Sequence, residues 1–347
     1  MDKMKKILFS VTFFLVLFSC AKNSSVTIKE ENTSFFESPF EDIQILYLTP
    51  SIKKGGSGFI LVKSNIPLEI SNIFILVNES YKCPFYNYNS EKKLLSFFGW
   101  PVYQNDLRLS VVYRKGENWI TNKLEIKKSY IDYGKVKIAL SDKFGIEKLE
   151  EFNIAKLPAD PLKRYEFILK ELSAKKSFDA IKYITENRSK FNVFKFYPYN
   201  SFKDCKVSSP YGLKRDFYLK NKNVRSSYHL GVDFVNGKNF SIYSIADGIV
   251  VFSGYNGGNG NYILIDHGAG IYSSYSHCSK LLVKEGNYVK KGELIAFSGS
   301  SGYVTGDHLH FSIIINGIYV DPSEWLDENW VKGNLSPVFD FAPLGDD

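Results

Sequence analysis

The first half of the chain, from about residue 43 to residue 153, consists of short alternating runs of apolar and polar residues. A two-residue period of this kind predicts β-strands with one buried face. Turn-forming residues interrupt the runs at positions 53–56, 65–67, 100–101 and 115–118. We therefore predict strands at residues 43–48, 58–63, 70–77, 94–98, 107–113, 123–128 and 135–139. Their number and spacing predict a β-sandwich, immunoglobulin-like in outline, over residues 41–155, in which Trp100 and Trp119 are core or edge aromatics.

The hydrophobic period becomes helical between residues 158 and 191. Asp160 followed by Pro161 is a favourable helix start, with an N-cap carboxylate and proline at the first helical position. Apolar residues then recur on one helical face, and a second short helix is predicted to start at Phe178. Residues 156–200 are predicted to form a helical connector between two β-domains.

The chain beyond this connector is rich in glycine and in short strand patterns, which predict a second β-domain at residues 205–330 and a loose tail at residues 331–347. Residues 283–295 predict a strand–turn–strand unit. Taken alone, that unit is also typical of lipoyl and biotinyl carrier domains. The fold class predicted for the whole chain is mainly β.

The first 20 residues have the pattern of an export signal. Three lysines precede an apolar stretch, residues 7–18, that is too short to span a bilayer. The stretch ends in Leu17-Phe18-Ser19-Cys20, which resembles the lipobox of bacterial lipoproteins, in which the cysteine is lipidated and becomes the new N-terminus. We therefore expect a lipid anchor at Cys20, a polar tether at residues 21–40, and a location in the bacterial cell envelope, facing the periplasm.

Charge and cysteine content narrow the choice of partners. The formal net charge of +7 falls to about +5 without residues 1–19, and this charge is too small and too dispersed to favour nucleic acid. Cys83, Cys205 and Cys278 remain after lipidation of Cys20. They are far apart in sequence, so zinc-finger and redox motifs are not expected. Because their number is odd, we expect at least one thiol to be free and buried.

All five histidines lie in the C-terminal domain. His308 and His310 precede an isoleucine-rich strand, where residues two apart face the same way. His229 and Asp233 are four residues apart, with Gly231 between them. Two histidines and one aspartate would bind zinc with the fourth position open, which is typical of a catalytic metal. We therefore predict His229, Asp233 and His310 as the zinc ligands.

Hydrolysis also requires groups that move protons and stabilise an oxyanion. His308 is the candidate general base, and His277, at the end of another predicted strand, is a candidate to share that role or to stabilise the tetrahedral intermediate. Tyr275, on the same predicted face as His277, is a candidate for substrate or oxyanion support. His267 precedes a glycine turn and is predicted to be structural. Cys278 should point away from His277, so no Cys–His nucleophile is expected.

The segment from Ser209 to Trp325 resembles the lysostaphin-type (LytM-like) zinc endopeptidases, which cleave peptide cross-links in bacterial peptidoglycan. The resemblance covers about a third of the chain and excludes the carrier-domain interpretation. It rests on a series of ordered motifs, among them Ser209-Pro210-Tyr211-Gly212, His229-x-x-x-Asp233-Phe234, Ala246-Asp247-Gly248, Asp266-His267-Gly268, Tyr275-Ser276-His277, Val289-Lys290-Lys291-Gly292, Thr305-Gly306-Asp307-His308-Leu309-His310-Phe311 and Asp321-Pro322.

The resemblance implies one zinc ion held by His229, Asp233 and His310, with His277 and His308 as the catalytic pair. It also implies an antiparallel β-domain whose sheet floors a groove, with residues 215–227 in a groove wall. Asp307 and the lysine- and asparagine-rich wall depart from the family pattern, and these departures bear on substrate choice.

Three hypotheses about function follow. The first is a zinc endopeptidase that hydrolyses amide bonds in the stem peptides or cross-bridges of peptidoglycan. The second is a catalytically silent relative that activates a cell-wall amidase or binds peptidoglycan. In the third, the N-terminal β-domain carries the main function, as a module that binds a partner or glycan or as a lid over the groove.

Overall fold

The computed structural model describes residues 42–88, 93–140, 156–174, 176–187, 189 and 200–335. The predicted signal and tether, residues 1–40, lie outside this range. Among the described residues, no helix combines the length and the apolar character that a membrane crossing requires. The N-terminal part contains β1 (Ile43–Leu48), β2 (Ser51–Lys53), β3 (Ser57–Ser64), β4 (Ile73–Val77), β5 (Tyr81–Pro84), β6 (Tyr86–Asn87), β7 (Lys93–Gly99), β8 (Leu109–Lys115), β9 (Asn118–Leu124), β10 (Lys127–Ser129) and β11 (Lys135–Ala139).

Eight of these strands form a sandwich of two four-stranded antiparallel sheets. Their orders are β1-β3-β7-β6 and β5-β4-β8-β9, and β2 pairs with β10 in parallel. If β5 is left out, the other seven strands can be lettered A to G along the chain. The first sheet then has the A-B-E-D order of immunoglobulin domains, and the second contains C, F and G, with β5 as an additional edge strand. The immunoglobulin-like prediction is confirmed. Trp100 is fully buried, whereas Trp119 is 51% exposed on the edge strand β9.

One strand prediction in this half was wrong, and one correctly predicted strand pairs outside the sandwich. The strand predicted at residues 123–128 is observed as the end of β9 and the separate strand β10. The strand at 135–139 forms as predicted but does not join the sandwich: β11 pairs in parallel with a strand of the C-terminal domain. An alternating pattern indicates that a segment is a strand, but the choice of partner strand depends on tertiary contacts.

The helical connector forms as α1 (Pro161–Ala174) and α2 (Ala180–Glu186). The Asp160 carboxylate accepts a hydrogen bond from the amide of Lys163 at 2.9 Å, as expected of an N-cap. Ile168 of α1 is buried beside Tyr255 and Tyr303 of the C-terminal domain. The connector therefore packs on the second domain.

The C-terminal domain is built on an eight-stranded sheet with the order β12-β15-β23-β19-β18-β17-β21, and β24 pairs with β23. Smaller sheets have the orders β11-β13-β14 and β16-β22-β20. The strands and helices are β12 (Lys206–Ser209), β13 (Lys214–Leu219), β14 (Lys222–Tyr228), β15 (Val232–Val235), β16 (Ser241–Tyr243), β17 (Gly248–Tyr255), β18 (Asn261–Asp266), β19 (Ile271–Cys278), β20 (Lys280–Leu281), β21 (Tyr288–Val289), β22 (Leu294–Phe297), β23 (Leu309–Ile315), β24 (Ile318–Val320), α3 (Pro322–Leu326) and α4 (Glu328–Leu335).

The prediction of a loose tail from residue 331 was wrong for its first residues. Residues 328–335 form α4, and Val331 and Leu335 are each only 1% exposed. Asp327 initiates this helix by accepting a hydrogen bond from the amide of Asn329 at 2.8 Å. The sequence analysis missed the two apolar residues four positions apart, which give so short a helix its buried face.

The two domains share one continuous hydrophobic core. The indole nitrogen of Trp325 donates to Ser57 Oγ at 3.0 Å, and Asn316 Nδ2 donates to the carbonyl of Phe97 at 2.8 Å. Strands β3 and β7 are buried along almost their whole length. One face of their sheet packs inside the sandwich and the other faces the C-terminal domain, which explains their continuous apolar runs.

Candidate metal and catalytic site

The register of three neighbouring strands determines where the candidate site lies. In β23, His310 is directly opposite Asp233 of β15 on one side and Ser276 of β19 on the other. His229 lies just after β14 and His277 near the end of β19. Strand β23 is therefore the centre of the site, and its two neighbours bring the remaining groups to it.

His229, Asp233 and His310 converge on one point. Asp233 Oδ1 is 2.9 Å from His229 Nε2 and 2.8 Å from His310 Nδ1, and these two nitrogens are 3.0 Å apart. His229 and Asp233 are buried, and His310 is partly buried. The structure thus brings together the three residues predicted as ligands.

The other nitrogen of each ligand histidine is held by the surrounding chain. His229 Nδ1 is 2.8 Å from the carbonyl of Pro210, to which it donates, so Nε2 carries the lone pair. His310 Nε2 is 3.2 Å from Ser312 Oγ, which leaves Nδ1 directed at Asp233. Hydrogen bonds of this kind fix the tautomer and ring orientation of histidines that bind metals.

Arg215 supports the aspartate from behind. Its Nη2 donates to Asp233 Oδ2 at 3.0 Å and to Ser209 Oγ at 2.8 Å. Although burial opposes ionisation of Asp233, its short contacts with the imidazole rings of His229 and His310 hold the pKa of this carboxyl well below its usual range. Sequence reasoning placed Arg215 in a groove wall and missed this contact, because no motif links it to an aspartate 18 positions away.

The donor set fits zinc. Four tetrahedral ligands at about 2.0–2.1 Å from zinc are about 3.3 Å from one another, so these three atoms need to separate by only a few tenths of an ångström. Two imidazoles and one carboxylate are a typical zinc donor set, and three protein ligands leave the fourth position for water or substrate.

His277 and His308 lie beside these ligands with their ring centroids 4.9 Å apart. His277 Nδ1 is 3.0 Å from the carbonyl of Ser301, and His308 Nδ1 is 2.9 Å from that of Gly306, so Nε2 is left to other partners in both rings. His308 Nε2 is 3.9 Å from Asp233 Oδ1. Burial, reinforced by the neighbouring His308 and His310, lowers the pKa of His277 well below its ordinary value and keeps it neutral at pH 7.

Tyr275 is not part of this cluster, so the structure does not place it where the sequence analysis predicted. Its side chain is fully buried, and its hydroxyl accepts a hydrogen bond from the amide of Ile245 at 3.2 Å. The prediction assumed regular alternation from Tyr275 to His277. His277 instead has a φ of 65°, and the register between β18 and β19 shifts just before it. This irregularity turns His277 towards the site and leaves Tyr275 in the core.

The other singled-out residues of this domain are structural. His267 is 1% exposed, with Nδ1 2.7 Å from the carbonyl of Asp247 and Nε2 2.7 Å from Ser273 Oγ, and burial lowers its pKa to about 4. Cys278 is buried, and burial raises the pKa of its thiol to about 12. Cys83, Cys205 and Cys278 are free thiols, in agreement with the expectation of at least one.

The wall beside the site is the hairpin of β13 and β14, widened by β11. Val136 of β11 is opposite Arg215 of β13, so both side chains are on the face that looks towards Asp233. Val136 is 38% exposed there. The segment between the sandwich and the connector thus adds a strand to the wall that the sequence analysis assigned to residues 215–227.

Asp307 anchors the turn that precedes the two central histidines. Its Oδ1 accepts a hydrogen bond from Ser298 Oγ at 2.5 Å, and its Oδ2 accepts one from the amide of Asn239 at 3.0 Å. These bonds tie together three segments directly before His308. The residue that departs from the family pattern therefore positions the turn that carries His308.

Comparison with known proteins agrees with this geometry. Residues 227–322 match peptidase family M23. Peptidoglycan DD-endopeptidase ShyA of Vibrio cholerae serotype O1 is 35% identical over 148 residues, which are 43% of this chain and 33% of the relative. DD-carboxypeptidase/endopeptidase Mpg of Neisseria meningitidis serogroup B is 38% identical over 117 residues, 34% of this chain and 26% of the relative. The match thus spans about a quarter to a third of these relatives.

Among solved structures, the catalytic domain of lysostaphin from Staphylococcus simulans is 33% identical, with a TM-score of 0.31, covering 36% of this chain and 94% of that one. A peptidase M23 from Pseudomonas aeruginosa is 20% identical, with a TM-score of 0.47, covering 79% of this chain and 93% of that one. The C-terminal domain of the chain is a peptidase family M23 (LytM-like) domain.

Proposed function

We propose that this protein is a zinc-dependent endopeptidase that hydrolyses amide bonds in the stem peptides or cross-bridges of peptidoglycan. The observation that carries the proposal is the convergence of His229, Asp233 and His310, with two further histidines beside them whose Nε2 atoms are not held by the backbone. The M23 match and the names of the curated relatives support the same substrate class.

The chain's own residues have distinct parts in the reaction. A zinc ion held by the three ligands would supply a Lewis acid that polarises an amide carbonyl and activates water as the nucleophile. His308 Nε2, on the rim of the ligand cluster, accepts the proton that the attacking water loses. His308 then passes this proton to the leaving amine. His277, neutral through burial and with Nδ1 at the carbonyl of Ser301, keeps the lone pair on Nε2 and can share the role of proton acceptor. Arg215 holds the carboxylate of Asp233 in position through the hydrogen bond from its Nη2.

Cleavage of purified peptidoglycan tests the proposal. We expect the chain from residue 21 onward to solubilise peptidoglycan, to lose activity with a chelator, and to regain it with zinc. Asp233→Asn, His310→Ala and His308→Ala should each abolish activity. Asp204→Asn is the matched control, because it makes the same chemical change on an exposed aspartate outside the site.

Two outcomes would contradict this proposal. Intact activity in His310→Ala or His308→Ala would exclude the assigned roles. A correctly folded wild-type protein that binds less than about 0.1 zinc per chain after reconstitution would favour the alternative of a silent domain that activates an amidase or binds peptidoglycan. Mass spectrometry of released muropeptides identifies the bond, and the relatives' names make D,D-cross-links the first substrate to test.

We further propose that the protein is exported and anchored to a membrane of the cell envelope by lipidation of Cys20, facing the periplasm. The support is the sequence of residues 1–20. Metabolic labelling with a fatty acid should mark the wild-type chain and leave Cys20→Ser unlabelled. A labelled Cys20→Ser variant would refute the anchor.

A further inference from the structure

A cavity of about 310 Å³ lies at the junction of the two domains, outside the metal site. The turn after β2 contributes Lys54 to its lining, the segment after β10 contributes Tyr133 and Lys135, and the base of the β13–β14 hairpin contributes Lys214 and Tyr228. Ligand-binding pockets are commonly found at domain junctions and have volumes from about 300 Å³ upwards. The cavity is therefore large enough for a small ligand and lies where such ligands bind.

The charge of the lining is strongly positive. Three lysines, Lys54, Lys135 and Lys214, face one carboxylate, Asp132, and among the described residues none of the three forms an ion pair. Lys54 Nζ donates only to a neutral amide oxygen, that of Asn105, at 3.1 Å. Asp132 already accepts a hydrogen bond from the amide of Gly134 at 2.8 Å. The residues that line the cavity therefore have a net charge of about +2.

The strand register places two of these charges side by side. Lys135 and Lys214 are directly opposite each other in the parallel pair of β11 and β13. Like charges at directly opposite positions destabilise a sheet. An anion between them would convert this repulsion into attraction.

The uncharged part of the lining indicates what kind of anion fits. Tyr228 is opposite Lys214 in the hairpin, and Tyr133 is held by a hydrogen bond from its hydroxyl to the carbonyl of Lys54 at 2.7 Å. Val102 and Ile131 add apolar surface. An inorganic anion would use only part of this space, whereas a short peptide with carboxylates and small apolar side chains matches both the charged and the apolar surfaces.

We propose that this cavity is a second, non-catalytic binding site for the acidic stem peptide of peptidoglycan, held through its free carboxylates. The identity of the ligand rests on the proposed function. Lys214 and Arg215 alternate on β13, so the cavity is on the face of the hairpin opposite to the face that carries Arg215 towards Asp233. The cavity therefore holds a stem peptide other than the one being cleaved and keeps the polymer on the enzyme between cleavage events.

Equilibrium binding of a soluble stem peptide tests the proposal. The titration uses the chain from residue 21 onward carrying Asp233→Asn, in buffer with a chelator. Neither metal nor turnover then enters the measurement, and failure of the proposed function leaves this test intact. We expect binding that weakens with salt and that falls by at least about tenfold in a Lys135→Gln/Lys214→Gln variant. Lys220→Gln/Lys222→Gln is the matched control, because it removes two exposed positive charges from the same hairpin outside the cavity.

Two further titrations identify the ligand class and do not depend on the variants being folded. The same peptide with its carboxylates amidated should bind at least about tenfold more weakly, since the lysines then lose their partners. Inorganic phosphate should compete only weakly. Equal affinity for the amidated peptide, equal binding by the folded double variant, or phosphate binding as tight as that of the peptide would each overturn the proposal.

Discussion

The free energy of unfolding should depend on pH through Glu324, which belongs to the polar contacts between the two domains. Glu324 of α3 is 7% exposed and lies between the domains, where its Oε2 accepts a hydrogen bond from the amide of Ser57 at 3.1 Å. Lys53 Nζ is 3.4 Å from Glu324 Oε1 and 2.7 Å from Asp321 Oδ2. Burial raises the pKa of Glu324 to about 7 from its ordinary 4.5, against the opposing effect of Lys53.

The raised pKa determines the sign and size of the effect. A carboxyl whose pKa is higher in the folded protein favours folding while it is protonated, and this contribution is lost as the pH rises from about 4.5 to above 7. One pKa unit corresponds to about 1.4 kcal/mol, so the shift predicts a loss of about 2.5 kcal/mol in the free energy of unfolding between pH 5 and pH 8. Glu324→Gln, which does not ionise, should abolish this part of the pH dependence.

Chemical unfolding at pH 5, 6, 7 and 8 measures this difference between wild type and Glu324→Gln. Glu328→Gln is the control, because it removes an exposed carboxylate four residues further along the chain. The wild type and the control should lose stability together as the pH rises, while Glu324→Gln loses about 2.5 kcal/mol less. Parallel profiles for all three proteins would refute the assignment of Glu324 as the titrating group at the domain junction.

Three shorter predictions follow from other contacts. Arg215→Gln should weaken zinc binding about 10–100-fold, measured by competition with a chromophoric chelator, because the carboxylate of the ligand aspartate loses its support; unchanged affinity would contradict that role. Cys83 and Cys278, with pKa values raised to about 12 by burial, should react with a thiol reagent only after unfolding, whereas labelling of the native protein would show that they are accessible. Gly270→Ala should lower the melting temperature far more than Gly286→Ala. Both glycines have positive φ, but of the two new Cβ atoms only that at residue 270 would clash, at 1.9 Å from Asn316 Oδ1. Equal shifts in melting temperature would argue against this clash.

His308 and the three proposed metal ligands were predictable from sequence because they form two local patterns. His310 lies in β23 and His308 directly precedes this strand, and strand alternation places both side chains on one face. The His229 and Asp233 pair has ligand spacing within one short segment. The sandwich strands were predictable for the same reason, since their apolar period is a property of a few consecutive residues.

The structure decided what depends on contacts between distant segments. Arg215 reaches Asp233 only through the pairing of β13 with the strands around it. Strand β11 joins the wall of the site and not the sandwich. Tyr275 is in the core because β19 becomes irregular before His277. The same holds for the lysine-lined cavity, whose charges come from three separate segments. Local periodicity specifies which face of a strand a residue occupies. Which segment packs against that face depends on the packing of the whole chain, and no local pattern contains this information.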